Sequence, residues 1–211
     1  MNATAIIERF ELQVDDLTEL STTEELALLN EKYQDALAER PWNFLKVSAA
    51  DTLDISDPSI FLPDDFAFLS PNYLSTDNNV SEDLTSAPYV IFVGTNYRPY
   101  KIINYSDRRQ YRDQDGYAYV DLANGRIVFT KQPTTAETYE YDYIKLAPEL
   151  AATDTPLIPT RFLSILWLDM AIDDDIIQKS EKARSYASEN KAKRDAKMMD
   201  MKFWDSQFQM N

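Results

Sequence analysis

The chain contains no cysteine and no histidine. Their absence removes thiol nucleophiles, disulfides, Cys or His zinc sites and every histidine-based catalytic dyad. Glycine is scarce, with Gly94, Gly116 and Gly125 the only three in 211 residues. That is too few for a collagen-like repeat, a Gly-rich linker or a phosphate-cradling loop. No uncharged apolar run approaches the roughly 20 residues of a membrane span. The opening Met-Asn-Ala-Thr-Ala-Ile-Ile-Glu-Arg-Phe has neither the basic nor the apolar region of a signal peptide. These absences predict a soluble, cytoplasmically made protein with no metal, no cofactor and no membrane contact. A chain of this length buries roughly 70% of its unfolded surface, which is enough to fold on a core alone.

What is present is acid and tyrosine. The formal charge is −15, and 13 Tyr and 10 Phe accompany an apolar content of 44%. The acid is concentrated early: residues 1–60 hold 13 acidic and 4 basic side chains. The segment Lys179–Lys202 reverses the balance, with 8 basic against 4 acidic side chains. A chain so acidic is not built to grip nucleic acid, because phosphate neutralisation needs clustered Lys and Arg. It suits a surface past which DNA must slide, although plain solubility explains the same charge.

The hydrophobic spacing predicts an α+β protein: a helical body of two N-terminal helices and a long C-terminal helix, with an inserted antiparallel β domain. Ile6, Ile7, Phe10 and Val14 mark a first helix, and Leu26, Leu29, Tyr33 and Leu37 a second. Thr22 or Thr23 is the expected cap of the second, and Pro41 ends it near Glu39. From Phe44 to Leu146, β-branched and aromatic runs alternate with Pro, Asn and Asp. Tyr89–Val93 reads as a buried strand. Tyr117–Leu122 and Arg126–Lys131 flank Asn124-Gly125, the pair favoured in type I′ hairpins. Residues 70–87 read as an exposed polar loop, and 105–114 as a loop or helical turn. After Pro159 a helix is expected to about Ala183, on the face Phe162, Ile165, Leu166, Met170 and Ile177. The divisions are residues 1–43, 44–147, 148–184 and a tail at 185–211.

Catalytic readings find little support. Asp173-Asp174-Asp175 point about 100° apart on a helix and cannot converge on one ion, so a solvated face is expected. Asp113-Gln114-Asp115-Gly116 lacks the first and twelfth ligands of an EF-hand, and a turn accounts for it. Thr and Ser nucleophiles have no histidine base, and no spacing selects a carboxylate pair among 36 acids. The ladder Tyr139, Tyr141, Tyr143, with Tyr117 and Tyr119, could stack on sugars or a partner, or pack in a core. Lys197, Met198, Met199, Met201, Phe203, Trp204 and Phe208 form a Met/aromatic cluster at the chain end with no evident core of its own. Such enrichment typifies interface centres and predicts a docking tail.

Four segments carry a family resemblance. Leu28-Leu29-Asn30-Glu31-Lys32-Tyr33 leads to Arg40-Pro41-Trp42-Asn43-Phe44-Leu45, and Phe61-Leu62-Pro63-Asp64-Asp65-Phe66 follows. Tyr141-Asp142-Tyr143-Ile144-Lys145, Pro148 and Leu150 then precede Asp154-Thr155-Pro156-Leu157-Ile158-Pro159. In order and spacing these resemble the head–tail adaptor (head-completion or tail-tubular) proteins of tailed bacteriophages over about residues 22–180. The resemblance implies a non-enzymatic structural virion protein of the head–tail connector, assembled in the host cytoplasm. It implies a ring, usually dodecameric, below the portal protein, extending the channel through which genomic DNA passes without sequence-specific binding. The ring would present a platform to the tail, nozzle or stopper protein, with the C-terminal cluster reaching onto the portal or tail segment. Trp42, Phe44, Pro63, Phe66, Pro156 and Pro159 would be structural corners, Trp42 and Phe44 pinning helix to sheet. The acidic N-terminal helices would line or flank the channel. Two other readings compete: a carbohydrate- or receptor-binding module of a tail appendage using exposed tyrosines, and a hydrolase using a carboxylate pair.

Overall fold

The computed structural model describes residues 1–14, 20–70, 90–93, 98–178 and 181–207. The expected loop at 71–87, Tyr89, Asp15-Asp16 and Phe208 lie outside the described residues. The chain is mixed α+β and divides into two compact units, Met1–Leu45 with Ala147–Asn211, and Lys46–Leu146.

In the first unit, α1 spans Ala3–Gln13, capped by Asn2, whose side chain accepts the Ala5 N–H at 3.0 Å. Helix α2 spans Thr22–Ala38. Its cap is Ser21 rather than Thr22 or Thr23, because Ser21 and Glu24 stand at the capping-box spacing. The Glu24 carboxylate accepts the Ser21 N–H at 2.8 Å, and Ser21 Oγ accepts the Glu24 N–H. Pro41 stops the helix at Glu39, as expected. A 3₁₀ turn at Asn43–Leu45 closes this stretch.

After the β unit, a second 3₁₀ turn at Thr160–Phe162 leads into α3 (Ser164–Gln178) and then α4 (Glu181–Ser206). The single helix expected from Pro159 to Ala183 is therefore a short 3₁₀ turn plus α3, and the segment beyond it is the longest described helix. No residue of α3 from Ser164 to Asp174 is exposed. A helix apolar on most sides is stable only when surrounded. Helix α3 packs against α1, α2 and α4, which supply that surround. Two acids of the Asp triplet depart from the expected solvated face: Asp174 is buried and Asp173 is ion-paired with Lys32. No described helix is long and apolar enough to cross a membrane.

The second unit is a sheet of eight described strands: β1 (Lys46–Leu53), β2 (Ser59–Phe61), β3 (Phe66–Leu69), β4 (Val90–Val93), β5 (Arg98–Ile102), β6 (Tyr117–Asp121), β7 (Arg126–Phe129) and β8 (Glu137–Lys145). Their order is β1-β8-β4-β5-β6-β7-β2, with β3 also on β8. The expected antiparallel character holds for every described pair except β5–β6, which is parallel. Residues 103–116 form the long connection that a parallel pair requires. The hairpin stands where Asn124-Gly125 placed it, but Asp121 pairs with Arg126, so the loop has four residues. Among described non-glycine residues only Asp113 has positive φ. Asn124 therefore does not, which excludes a type I′ turn, and Gly125 alone takes the left-handed conformation at φ 59°.

The core of this unit is aromatic. Tyr139, Tyr141 and Tyr143 alternate inward along β8 and are buried with Ile91, Tyr100, Ile127 and Phe129. Tyr139 lies 4.3 Å from Phe129 and 5.9 Å from Tyr100, ring centre to ring centre. Burial, then the Asp51 charge, pushes the Tyr141 phenol up to about 12. Burial raises Tyr139 as well. Folded phenols that ionise later than unfolded ones contribute stability that is complete below about pH 10 and vanishes as pH rises through the folded value. All three tryptophans, Trp42, Trp167 and Trp204, belong to the helical unit. Phenolate absorbance in an alkaline titration should rise late and cooperatively between about pH 10 and 12 as the β unit unfolds. Gradual ionisation of all tyrosines near pH 10 would contradict this packing.

Candidate assembly surfaces

With Cys and His absent, the described residues gather no group of three or more carboxylates able to hold a metal ion. What the structure offers is a set of braced corners and two exposed apolar surfaces.

The corner at Trp42 is built within the helical unit. Trp42 is fully buried and its indole N–H donates to the Ala36 carbonyl at 3.1 Å. Its ring stacks on Phe44 at 5.5 Å, Phe44 meets Trp204 at 6.4 Å, and Trp204 meets Phe162 at 5.6 Å. Arg40 lies over Trp42, and Arg161 over Trp204 at 4.5 Å. Trp42 and Phe44 thus join the end of α2 to the end of α4.

Asp205 completes this joint from inside. It is fully buried, and its carboxylate accepts the Asn43 backbone N–H at 2.8 Å and the Asn43 amide at 3.1 Å, with Arg40 at 3.7 Å. One turn back, Met201 and Met198 are buried. Two turns before Met201, Arg194 bridges Asp169 of α3 at 3.0 Å and Glu39 at 3.2 Å. Lys202 also pairs with Glu39. The expectation that the chain-end cluster has no core of its own is therefore corrected: Met198, Met201 and Trp204 pack within the helical unit, held by the buried Asp205 and by the partly exposed Arg194 and Lys202 pairs.

The other half of the cluster points outward. Met199 is 72% and Phe203 69% exposed, one helical turn apart, and Lys197 is exposed beside them. A second exposed apolar surface lies in the β unit. There a cavity of about 220 Å³ is lined by Phe66, Phe68, Leu69, Ile102, Val120 and Leu122, and Leu122 is 70% exposed.

The remaining predicted corners are structural. Pro63 opens a turn in which its carbonyl accepts the Phe66 N–H at 3.0 Å. Tyr143 OH donates to Asp65 at 2.8 Å and its ring stacks on Phe66. Pro156 is buried, the Leu157 N–H donates to Tyr33 OH at 3.1 Å, and the Pro159 carbonyl accepts the Phe162 N–H. Sequence reasoning missed the brackets that hold this exit segment. Asn30 accepts the Leu150 N–H at 2.7 Å and donates back to its carbonyl, while Gln34 donates to Ala147. A polar pair at i, i+4 on an otherwise apolar helix face was the available signal.

Burial holds the carboxyls of Asp205, Asp169 and Glu25 above their ordinary range, against the pull of Asn43, Arg40 and Arg194 where these are present. Carboxyls raised in the fold contribute stability that is fully present below the unfolded value and lost as pH rises through the folded one. Tryptophan emission during thermal unfolding should therefore report a higher midpoint near pH 5 than near pH 7; a lower midpoint would contradict it. Replacing Asp205→Ala leaves Asn43 and Arg40 facing an empty buried site. It should lower helical-unit stability by about 3 kcal/mol, whereas Met199→Ala should change it by less than about 0.5 kcal/mol.

Comparison with known proteins gives the family. No curated protein matches the chain. A family model described as the SU10 adaptor protein matches residues 1–207. That family is one of structural phage proteins of the virion's head–tail region, which associate with portal and tail proteins. The chain belongs to the SU10 adaptor protein family, a family of phage head–tail adaptors.

Proposed function

We propose that this chain assembles as a ring, dodecameric in the expected case, seated below the portal, where it extends the DNA channel and gives the tail its attachment platform. The observation that carries this reading is the split character of the C-terminal helix. Met198, Met201, Trp204 and Asp205 fix α4 from within, and Lys197, Met199 and Phe203 face outward as a ready contact surface. Two large apolar side chains one turn apart at this exposure suit a surface that an assembly covers. The net charge of −15 suits a conduit that duplex DNA traverses without adhering.

The carbohydrate-binding alternative needed a solvent-facing tyrosine platform, and Tyr139, Tyr141 and Tyr143 are buried. Nothing in the described residues favours a hydrolase. Assembly takes place in the host cytoplasm before the adaptor is enclosed in the virion.

Native mass spectrometry of the purified protein with the portal ring encoded in the same genome tests the proposal. Complexes of one portal with about a dozen adaptors are expected. An adaptor that ignores the portal and stays monomeric at every concentration would overturn it.

A further inference from the structure

The helical unit presents two unlike outward faces, on α2 and α4, both of which pack against α3. Helices α1 and α2 pack on α3 and on each other, and α4 packs on α3 and on the two 3₁₀ turns. On α4 the inward positions are Asn190, Arg194, Met198, Met201 and Asp205. The outward ones follow helical spacing through Ser188, Ala192, Ala196, Met199 and Phe203, all exposed. Around this outward face Glu189 and Asp195 are each taken up by a neighbour, Lys193 at 2.6 Å and Arg194 at 3.2 Å. Asp200 is the other acid on this stretch. Lys191 and Lys197, both exposed, form no ion pair among the described residues. Arg161, exposed and fixed over the Trp204 ring, adds a third outward cation beside α4.

The outward face of α2 has the opposite character. Glu24, Ala27, Glu31, Asp35 and Ala38 are exposed and recur at helical spacing. Every charged side chain in that stripe is acidic; the only base of the helix, Lys32, pairs with Asp173 of α3 and with one carboxylate oxygen of Glu31 at 3.2 Å. Ala27, between Glu24 and Glu31, and Ala38, beyond Asp35, leave room for another helix to approach.

We propose that the α4 face of one copy seats against the α2 face of the next copy, Met199 and Phe203 covering the alanine-lined stripe and Lys191 and Lys197 meeting Glu31 and Asp35. The contact joins two different patches, so it is heterologous. Repeated by a closing rotation it generates a ring, and without closure a filament. This deepens the ring reading above and rests on it. It also places the acids of α2 in the joint between copies rather than on the channel wall. Opposite charges at the rim chiefly set register and partner choice, so their exchange is the cleanest probe.

Three variants test it, all at exposed positions; E31K also removes the Glu31–Lys32 pair, and Lys32 keeps Asp173. The first carries K191E and K197E, the second E31K and D35K, and the third all four changes. Far-UV circular dichroism and tryptophan emission establish that each folds as the parent does. The readout is the number of adaptor copies retained on portal-bearing capsids of the same phage at low salt. The parent should fill the ring, and each two-site variant should fall at least about tenfold in retained copies. The four-site chain, and an equal mixture of the two-site variants, should recover to within about twofold of the parent. Parental occupancy by the two-site variants would overturn the interface while leaving the ring intact. A loss in the first variant that the four-site chain fails to repair would assign the α4 face to the portal instead. A parent that never forms a ring would bring down both readings.

Discussion

Helix α3 has no free face over Ser164–Asp174, and most of the helical unit follows from satisfying it. Its apolar residues point all round, so burying one side would leave another in water. Helices α1 and α2 cover part of it with Ile6, Phe10, Leu29 and Tyr33, and α4 covers more with Met198 and Met201. Because α3 consumes the inner surface of each neighbour, the outer surfaces of those neighbours are free to differ. One is acid throughout, the other mixes apolar side chains with lysine, and that difference can direct assembly between copies.

The way α4 is held sets it apart from an ordinary core helix. Its inward positions include Asn190, Arg194 and Asp205 as well as two methionines. A buried carboxylate holding a backbone N–H and an amide demands one register, since a slip of one residue leaves both donors unpaired. Polar clamps of this kind fix where the helix lies more than they add to stability. For a scaffold that presents Met199 and Phe203 to a partner, position is the property that matters. Preorganisation of the presenting helix lowers the entropy lost on contact.

The same polar anchoring explains what was legible in the sequence. Periodicity marked α1 and α2 because their buried faces are apolar, and the alternation of tyrosine with Glu140 and Asp142 marked β8. Four short segments carried the family. The inner face of α4 was not legible, because a clamp made of Arg194 and Asp205 is indistinguishable in sequence from solvated helix surface. The chain-end methionines consequently read as unsupported, when two of the three, Met198 and Met201, are core. Asn30 and Gln34 hold backbone groups more than a hundred positions away; their i, i+4 spacing marks a polar pair but does not name its partner. The parallel β5–β6 pair depends on the path of a 14-residue connection, which propensity does not encode. The cap of α2 was missed by one residue, although Ser21 and Glu24 carried its signature.

Beside this framework the β unit is self-contained, with its own aromatic core and one exposed apolar recess at Leu122. In the assembly proposed above, the helical unit carries the joint between copies. A cryo-EM reconstruction of the head–tail joint of the mature particle, without imposed symmetry, tests the account most directly. The account predicts this chain as a closed ring beneath the portal, with α4 of each copy lying against α2 of the next. A ring in which α4 faces solvent, or density for this chain elsewhere in the particle, would contradict it.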